Sequence, residues 1–117
     1  MKKDPLEEYI FNIIGFSGMA KYYASEALKS ARKGNFEEAD EFLKKSDEEF
    51  SKAQDSEGAL AKNRNEVSKE CGELILIHSQ DHFMGTMTYR ELAKEMIEMS
   101  KKINELEKSL NEKNDKI

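Results

Sequence analysis

The chain has 117 residues, a formal net charge of −5, and 38% apolar against 37% charged residues. One domain is the default at this length, a net-acidic chain is a poor match for a phosphate backbone, and no stretch approaches the roughly 18–20 apolar residues that span a bilayer. The opening residues Met1 to Phe11 hold no apolar signal core, so the expected location is the cytoplasm. A single cysteine, Cys71, excludes an intrachain disulfide and a cysteine-rich zinc site. With so few large apolar side chains, a core shared between subunits is a live expectation.

Asp4-Pro5-Leu6-Glu7 predicts a helix start, with Asp4 as cap, Pro5 at the first helical position and Glu7 closing a capping box. Leu6, Ile10, Ile13, Ser17, Ala20, Ala24, Ala27 and Ala31 then recur on steps of four and three, one stripe that is bulky at first and small later. Small side chains let a neighbouring backbone come close, so tight packing is expected from Ser17 to Ala31. Gly15 and Gly18 are the weak points of this helix. Gly34 suits a left-handed helix end, Asn35 an N-cap, and Glu38 stands three residues on, which predicts a helical hairpin. The second helix runs through Phe36, Ala39, Leu43, Ser46, Phe50, Ala53 and Leu60, with Glu57 the one charged member of the series. From Ala61 to Lys69 the pattern fails, and a connecting loop is expected, with Gly58 and Ser68 offering a stop and a start. The third helix keeps a coiled-coil spacing through Leu92, Met96, Met99, Ile103, Leu106 and Leu110, and Glu112 to Lys116 are expected to fray. The fold class is therefore all-α: one domain over residues 1–117, with long helices at about 5–33, 36–60 and 70–112 in an up-down-up bundle.

Carried backwards on the same rhythm, the third helix's seam passes through Tyr89, Gly85, His82, His78, Ile75 and Cys71, so both histidines fall on it one turn apart. Beside it runs a second stripe, Leu74, Ile77, Asp81, Met84 and Thr88, which sets a carboxylate among apolar neighbours. Leu74 to Ile77 is continuously apolar, and Phe83, Met84 and Met87 follow. A helix apolar around most of its girth needs more neighbours than one hairpin provides, which again points to oligomerisation. A lone histidine on such a face is ordinarily a hydrogen-bonded core residue. Two histidines and an aspartate at positions 78–82 favour a site, because a buried carboxylate stays ionised only beside a cation or strong donors. His-x₃-His with one Asp is a weak zinc signal, and the chain has no nucleophile elbow for a serine hydrolase. Cys71 reads as a packing residue. The chemistry that remains is attack by an imidazole nitrogen, which can accept a phosphoryl group covalently and pass it on.

The run Ile77-His78-Ser79-Gln80-Asp81-His82-Phe83-Met84, with the hairpin Gly34-Asn35-Phe36-Glu37-Glu38-Ala39-Asp40, closely resembles the IIA component of the lactose/cellobiose-type sugar phosphotransferase system, over roughly residues 6–105. The resemblance implies a three-helix antiparallel unit that assembles as a homotrimer. It implies that His78 takes a phosphoryl group from the phosphocarrier HPr and hands it to a cysteine of the IIB component, and that His82 orients the site or hydrogen-bonds the phosphoryl group. It also implies that Asp81 faces the three-fold axis, where three copies bind one metal ion, magnesium. The sugar would be a β-linked disaccharide such as lactose, cellobiose or chitobiose, with the membrane-spanning IIC component a separate chain. The family usually carries a polar residue after the glycine of the first helix, where this sequence has Met19 after Gly18, and Phe83 and Gly85 also depart from its pattern. Two other readings of the residues stand beside this one: a non-catalytic helical adaptor of the same fold, and a transition-metal bundle built on His78, His82 and Asp81.

Overall fold

The computed structural model describes residues 5–115, as four helices: α1 Pro5–Arg32, α2 Phe36–Lys62, α3 Arg64–Cys71 and α4 Glu73–Asp115. The expected Asp4 cap lies outside the described residues, and so does Lys116; α4 is helical as far as Asp115, through the segment expected to fray. The long elements fit the all-α expectation, and their ends fall within about three residues of those read from sequence.

The α1 stripe is the spine. Ile10, Ile13, Ser17, Ala20, Ala24, Ala27 and Ala31 are all buried. Along it, Ile10 and Ile13 share a cluster with Leu60, Val67 and Leu76; Ala20 packs with Phe50 and Ala53; and Ala27 and Ala31 pack with Ala39 and Ile97. As α1 is followed from residue 10 to 31, its α4 partners rise from 76 to 97 while its α2 partners fall from 60 to 39. Thus α1 and α4 run parallel and α2 runs against both, in the expected up-down-up order. Toward its end α2 buries Ser56 and Leu60, with Glu57 between them half-exposed, so the charged member of the series is turned out of the core.

Gly34 closes the hairpin at φ 81°. Its N–H donates to the Ala31 carbonyl at 3.0 Å and that of Asn35 to the Ser30 carbonyl at 2.9 Å, the paired bonds of a Schellman end. Asn35 then caps α2: its Oδ1 accepts from the Glu38 N–H at 3.3 Å, and its Nδ2 donates to the Glu38 carboxylate at 2.8 Å.

Two expectations require correction. The loop expected over 61–69 is the last turn of α2 followed by α3, and α4 begins at Glu73. An eight-residue helix is too short to persist by its own propensity. It is held by Val67, fully buried in the cluster that closes this end of the bundle, and it stops at Gly72, whose φ of 92° only glycine adopts readily. With only Val67 and the partly buried Cys71 as apolar contacts and polar neighbours otherwise, α3 leaves too short a stripe to read in the sequence.

The second correction concerns which face of α4 is inside. The seam expected through Leu92, Met96, Met99, Ile103, Leu106 and Leu110 is exposed, as are Leu74, Ile77 and Met84; Leu74 is 83% exposed. The buried face is Leu76, Ser79, Thr86, Arg90, Ala93 and Ile97. This inner face mixes small and polar residues with Leu76 and Ile97, and most of the bulky apolar side chains of α4 stay outside.

Arg90 ties the three long helices together. Its Nε donates to Ser46 Oγ at 2.9 Å, and Ser46 Oγ donates in turn to the Ala20 carbonyl at 2.7 Å. Its guanidinium pairs with Asp47 and lies 4.5 Å from the centroid of the Phe50 ring. Only 8% of Arg90 is exposed, so its charge depends on these partners. Replacing Arg90 with alanine is expected to cost about 2–3 kcal/mol in urea unfolding, since it strips a charged hydrogen-bond network from the interior. Lysine at the same position should recover less than half, because one ammonium cannot reproduce the guanidinium's directions. A loss under about 0.5 kcal/mol for the alanine variant would place the interhelical strength elsewhere.

Candidate active site

The histidines sit on a flank of α4 that lies between its buried face and its outward apolar stripe. His78 and His82 are both exposed, with their Nε2 atoms 3.2 Å apart, ring centroids 4.7 Å apart and ring planes at 78°. At this separation one ring nitrogen donates and the other accepts. The turns around the pair are pinned from the inside. Ser79 Oγ donates to the Leu76 carbonyl at 2.7 Å, Phe83 stacks on Phe50 at 5.1 Å, and Thr86 Oγ1 donates across to the Ser17 carbonyl of α1 at 3.1 Å. The imidazoles are thus solvent-facing groups on a rigid support, the arrangement a group-transfer residue needs.

Between α1 and α4 the flank opens into a cleft of about 380 Å³ lined by Gly18, Lys21, His78, Asp81, His82, Gly85 and Thr86. On the other side of His78 and Asp81 an apolar groove of about 530 Å³ runs toward the α3/α4 corner, past Leu74, Ile75 and Ile77. A Cβ placed on Gly18 or Gly85 would meet nothing within 4 Å, so the two glycines keep the cleft wide rather than the helices close.

The structure brings all three expected site residues together, with one change. Asp81 is exposed on the single chain, between the exposed Ile77 and Met84, and is not a buried carboxylate. Among the described residues no group of three or more His, Cys, Asp or Glu side chains could hold a metal within one chain, which removes the support for a transition-metal bundle. Met19 lines a separate hollow with Phe11, Phe16 and Glu49, away from the histidines, so this departure from the family pattern leaves the cleft untouched. Sequence reading missed Gly18, Lys21 and Thr86 as cleft residues. They lie on a different helix or a different face from the histidines, and only the α1/α4 register joins them.

Fold and flank together define a class: a small all-helical protein that presents a pair of exposed imidazoles on one flank of its last helix. Residues 8–101 match the family model of the lactose/cellobiose-specific IIA subunit of the phosphotransferase system, and the chain belongs to that family. It is 37% identical to the lichenan-specific phosphotransferase enzyme IIA component of Bacillus subtilis over 100 residues, 86% of this chain and 91% of that one. Its fold matches the cellobiose-specific enzyme IIA of Bacillus anthracis with a TM-score of 0.78 at 35% identity, covering 88% of this chain and 94% of the other. It also matches the chitobiose IIA protein of Escherichia coli, solved in complex with HPr, with a TM-score of 0.74 at 32% identity over 87% and 99% of the two chains. The chain is accordingly a phosphotransferase-system component.

Replacing Gly85 with alanine is expected to raise stability by about 0.5–1 kcal/mol in chemical denaturation, because it removes a mid-helix glycine without a clash. The same change should slow histidine chemistry by narrowing the cleft. A destabilised Gly85→Ala protein would contradict the open geometry.

Proposed function

We propose that the chain is the phosphocarrier of a sugar phosphotransferase system, taking a phosphoryl group from HPr on His78 and passing it to a cysteine of a IIB component. The observation that carries this reading is the exposed His78/His82 pair, 3.2 Å apart on a pinned flank within the family-matched region. The HPr complex of the related chitobiose protein supports the donor.

In the first transfer, a His78 ring nitrogen forms a bond to phosphorus as the bond to HPr breaks, and the leaving group keeps the electron pair. In the second, the phosphorus–nitrogen bond breaks as a cysteine thiolate of IIB forms a phosphorus–sulfur bond. His82 holds its nitrogen beside the reacting ring, placed to donate to a phosphoryl oxygen once the phosphohistidine exists. No described helix is long and apolar enough to cross a membrane, which suits a cytoplasmic carrier whose IIC partner spans it. The names of the relatives point to β-linked sugars of the cellobiose, lichenan and chitobiose kind as the transported class.

The unit that works is a homotrimer. The exposed row Leu74, Ile77, Met84, Leu92, Met96, Met99, Ile103, Leu106 and Leu110 gives α4 an apolar face far longer than a monomer ordinarily leaves in water, and its three- and four-residue steps suit helix-on-helix packing. Asp81 stands within that row. Each copy would contribute the one Asp81 carboxylate to an ion shared between copies, since among the described residues no three-ligand group lies within one chain, and hard oxygen donors suit magnesium. Bound there by three Asp81 side chains, the ion would neutralise carboxylates that association otherwise brings together unpaired.

Incubation with phosphorylated HPr should add the mass of one phosphoryl group to the intact protein and none to a His78→Ala variant; full labelling of that variant would overturn the assignment. Replacing Asp81 with leucine is expected to remove magnesium, read by metal analysis, while light scattering still shows trimers, because an apolar side chain completes the row. Monomers for Asp81→Leu would mean that the ion, and not the apolar row, holds the assembly.

A further inference from the structure

A phosphoryl group on His78 would bring a charge of about −1.5 to −2 into the cleft, where the only carboxylate of the lining, Asp81, is the one assigned above to the shared ion. The imidazole of His82 can give such a group a hydrogen bond. A compensating cation has to come from elsewhere, and one side chain of the cleft wall supplies it. Lys21, on α1, faces the histidines across the opening left by Gly18 and Gly85.

We propose that Lys21 is the residue that binds the phosphoryl group carried by His78. This rests on the reading of His78 as the acceptor.

Three features place it there. First, its backbone position is fixed from both sides. The Ser17 carbonyl, one turn before it, accepts from Thr86 at 3.1 Å, and the carbonyl of its neighbour Ala20 accepts from Ser46 at 2.7 Å. Thr86 is itself one turn on from His82, so the bond that fixes α1 against α4 also sets the height of Lys21 relative to the imidazoles. Second, its ammonium is uncommitted. Among the described residues Lys21 makes no ion pair; its Nζ stands 5.3 Å from the centroid of the Tyr89 ring. Tyr89 is only partly buried and Lys21 itself is exposed, so the contact is a modest one that an anion can displace. Third, Tyr89 lies on the same flank of α4 as His78, His82 and Gly85, so a lysine resting there moves along the flank to reach the phosphoryl oxygens and need not cross the helix. The missing side chains at Gly18 and Gly85 leave its path clear.

Held this way, Lys21 contributes most when charge builds on the transferring phosphoryl oxygens, and little to the docking of HPr. Rapid-quench transfer from phosphorylated HPr to wild type, Lys21→Ala, Lys21→Gln and Lys21→Arg separates the two roles. The alanine and glutamine variants are expected to lose about 100-fold in the maximal transfer rate with KM within about three-fold of wild type, and arginine should restore most of the rate. The phosphorus NMR signal of the phosphorylated protein should shift in Lys21→Gln and return toward wild type in Lys21→Arg. A raised KM with an unchanged maximal rate would make Lys21 a docking residue and overturn the proposal. So would wild-type rates in both neutral variants. His78→Ala serves as the reference: if it still accepts phosphate, the acceptor reading fails and takes this inference with it, whereas an inert His78→Ala beside a fully active Lys21→Ala sinks only the lysine.

Discussion

Everything else in this molecule depends on how closely two helices can approach α1. Over Ser17, Ala20, Ala24, Ala27 and Ala31 the face of α1 is small and fully covered, so α2 and α4 can settle against it with little side-chain volume between. Where there is little volume to fill, the facing helices contribute Ala39, Ser46, Ala53, Ser79, Thr86 and Ala93. Of the polar groups drawn into so narrow a core, Ser46, Thr86 and Arg90 find partners in backbone carbonyls and one another, while the buried Ser17 Oγ has none among the described residues. The hydrogen bonds that satisfy the core are the same ones that fix the register of the helices bearing the site.

This explains which parts of the fold were legible in the sequence. The α1 stripe, the Gly34/Asn35 hairpin and the up-down-up order follow from spacing and capping, because there the apolar or small residues point inward. For α4 the rule inverts. Leu92, Met96, Met99, Ile103, Leu106 and Leu110 form the clearest pattern in the chain, and a pattern reports only that a face seeks cover, not whose cover it is. The face that α4 presents to its own chain interleaves Ser79, Thr86 and Arg90 with Leu76, Ala93 and Ile97, which blurs its hydrophobic signature. Helix α3, resting on Val67 and the partly buried Cys71, was hidden because two contacts make no readable stripe.

The candidate site was legible to the extent that it is local. His78, Asp81 and His82 are joined by helical spacing, and their identities carried both the chemistry and the family resemblance. The remainder of the cleft comes from α1, and no spacing rule connects residues 18 and 21 with residues 82 and 85. What connects them is the bond from Thr86 to the Ser17 carbonyl, a consequence of packing. The three faces of α4 thus divide the labour around one helix: one holds the chain together, one is free to meet other helices, and the flank between them offers the imidazoles to solvent.

The outward row has a further geometric property. From Leu74 to Thr88 its members advance by alternating steps of three and four, and again from Leu92 to Leu110, but between Met84 and Met96 three consecutive steps of four occur. A strict seven-residue repeat drifts backwards around a straight helix by roughly 20° per repeat and forces partners to wind about each other; an inserted four-residue step turns the row the opposite way. Here the two cancel. Leu74 and Leu110 are 110 − 74 = 36 residues apart, about ten whole turns at 3.6 residues per turn, and return to the same azimuth. A helix packed along this row can stay nearly straight over its whole length, without the superhelical winding that a strict seven-residue repeat imposes.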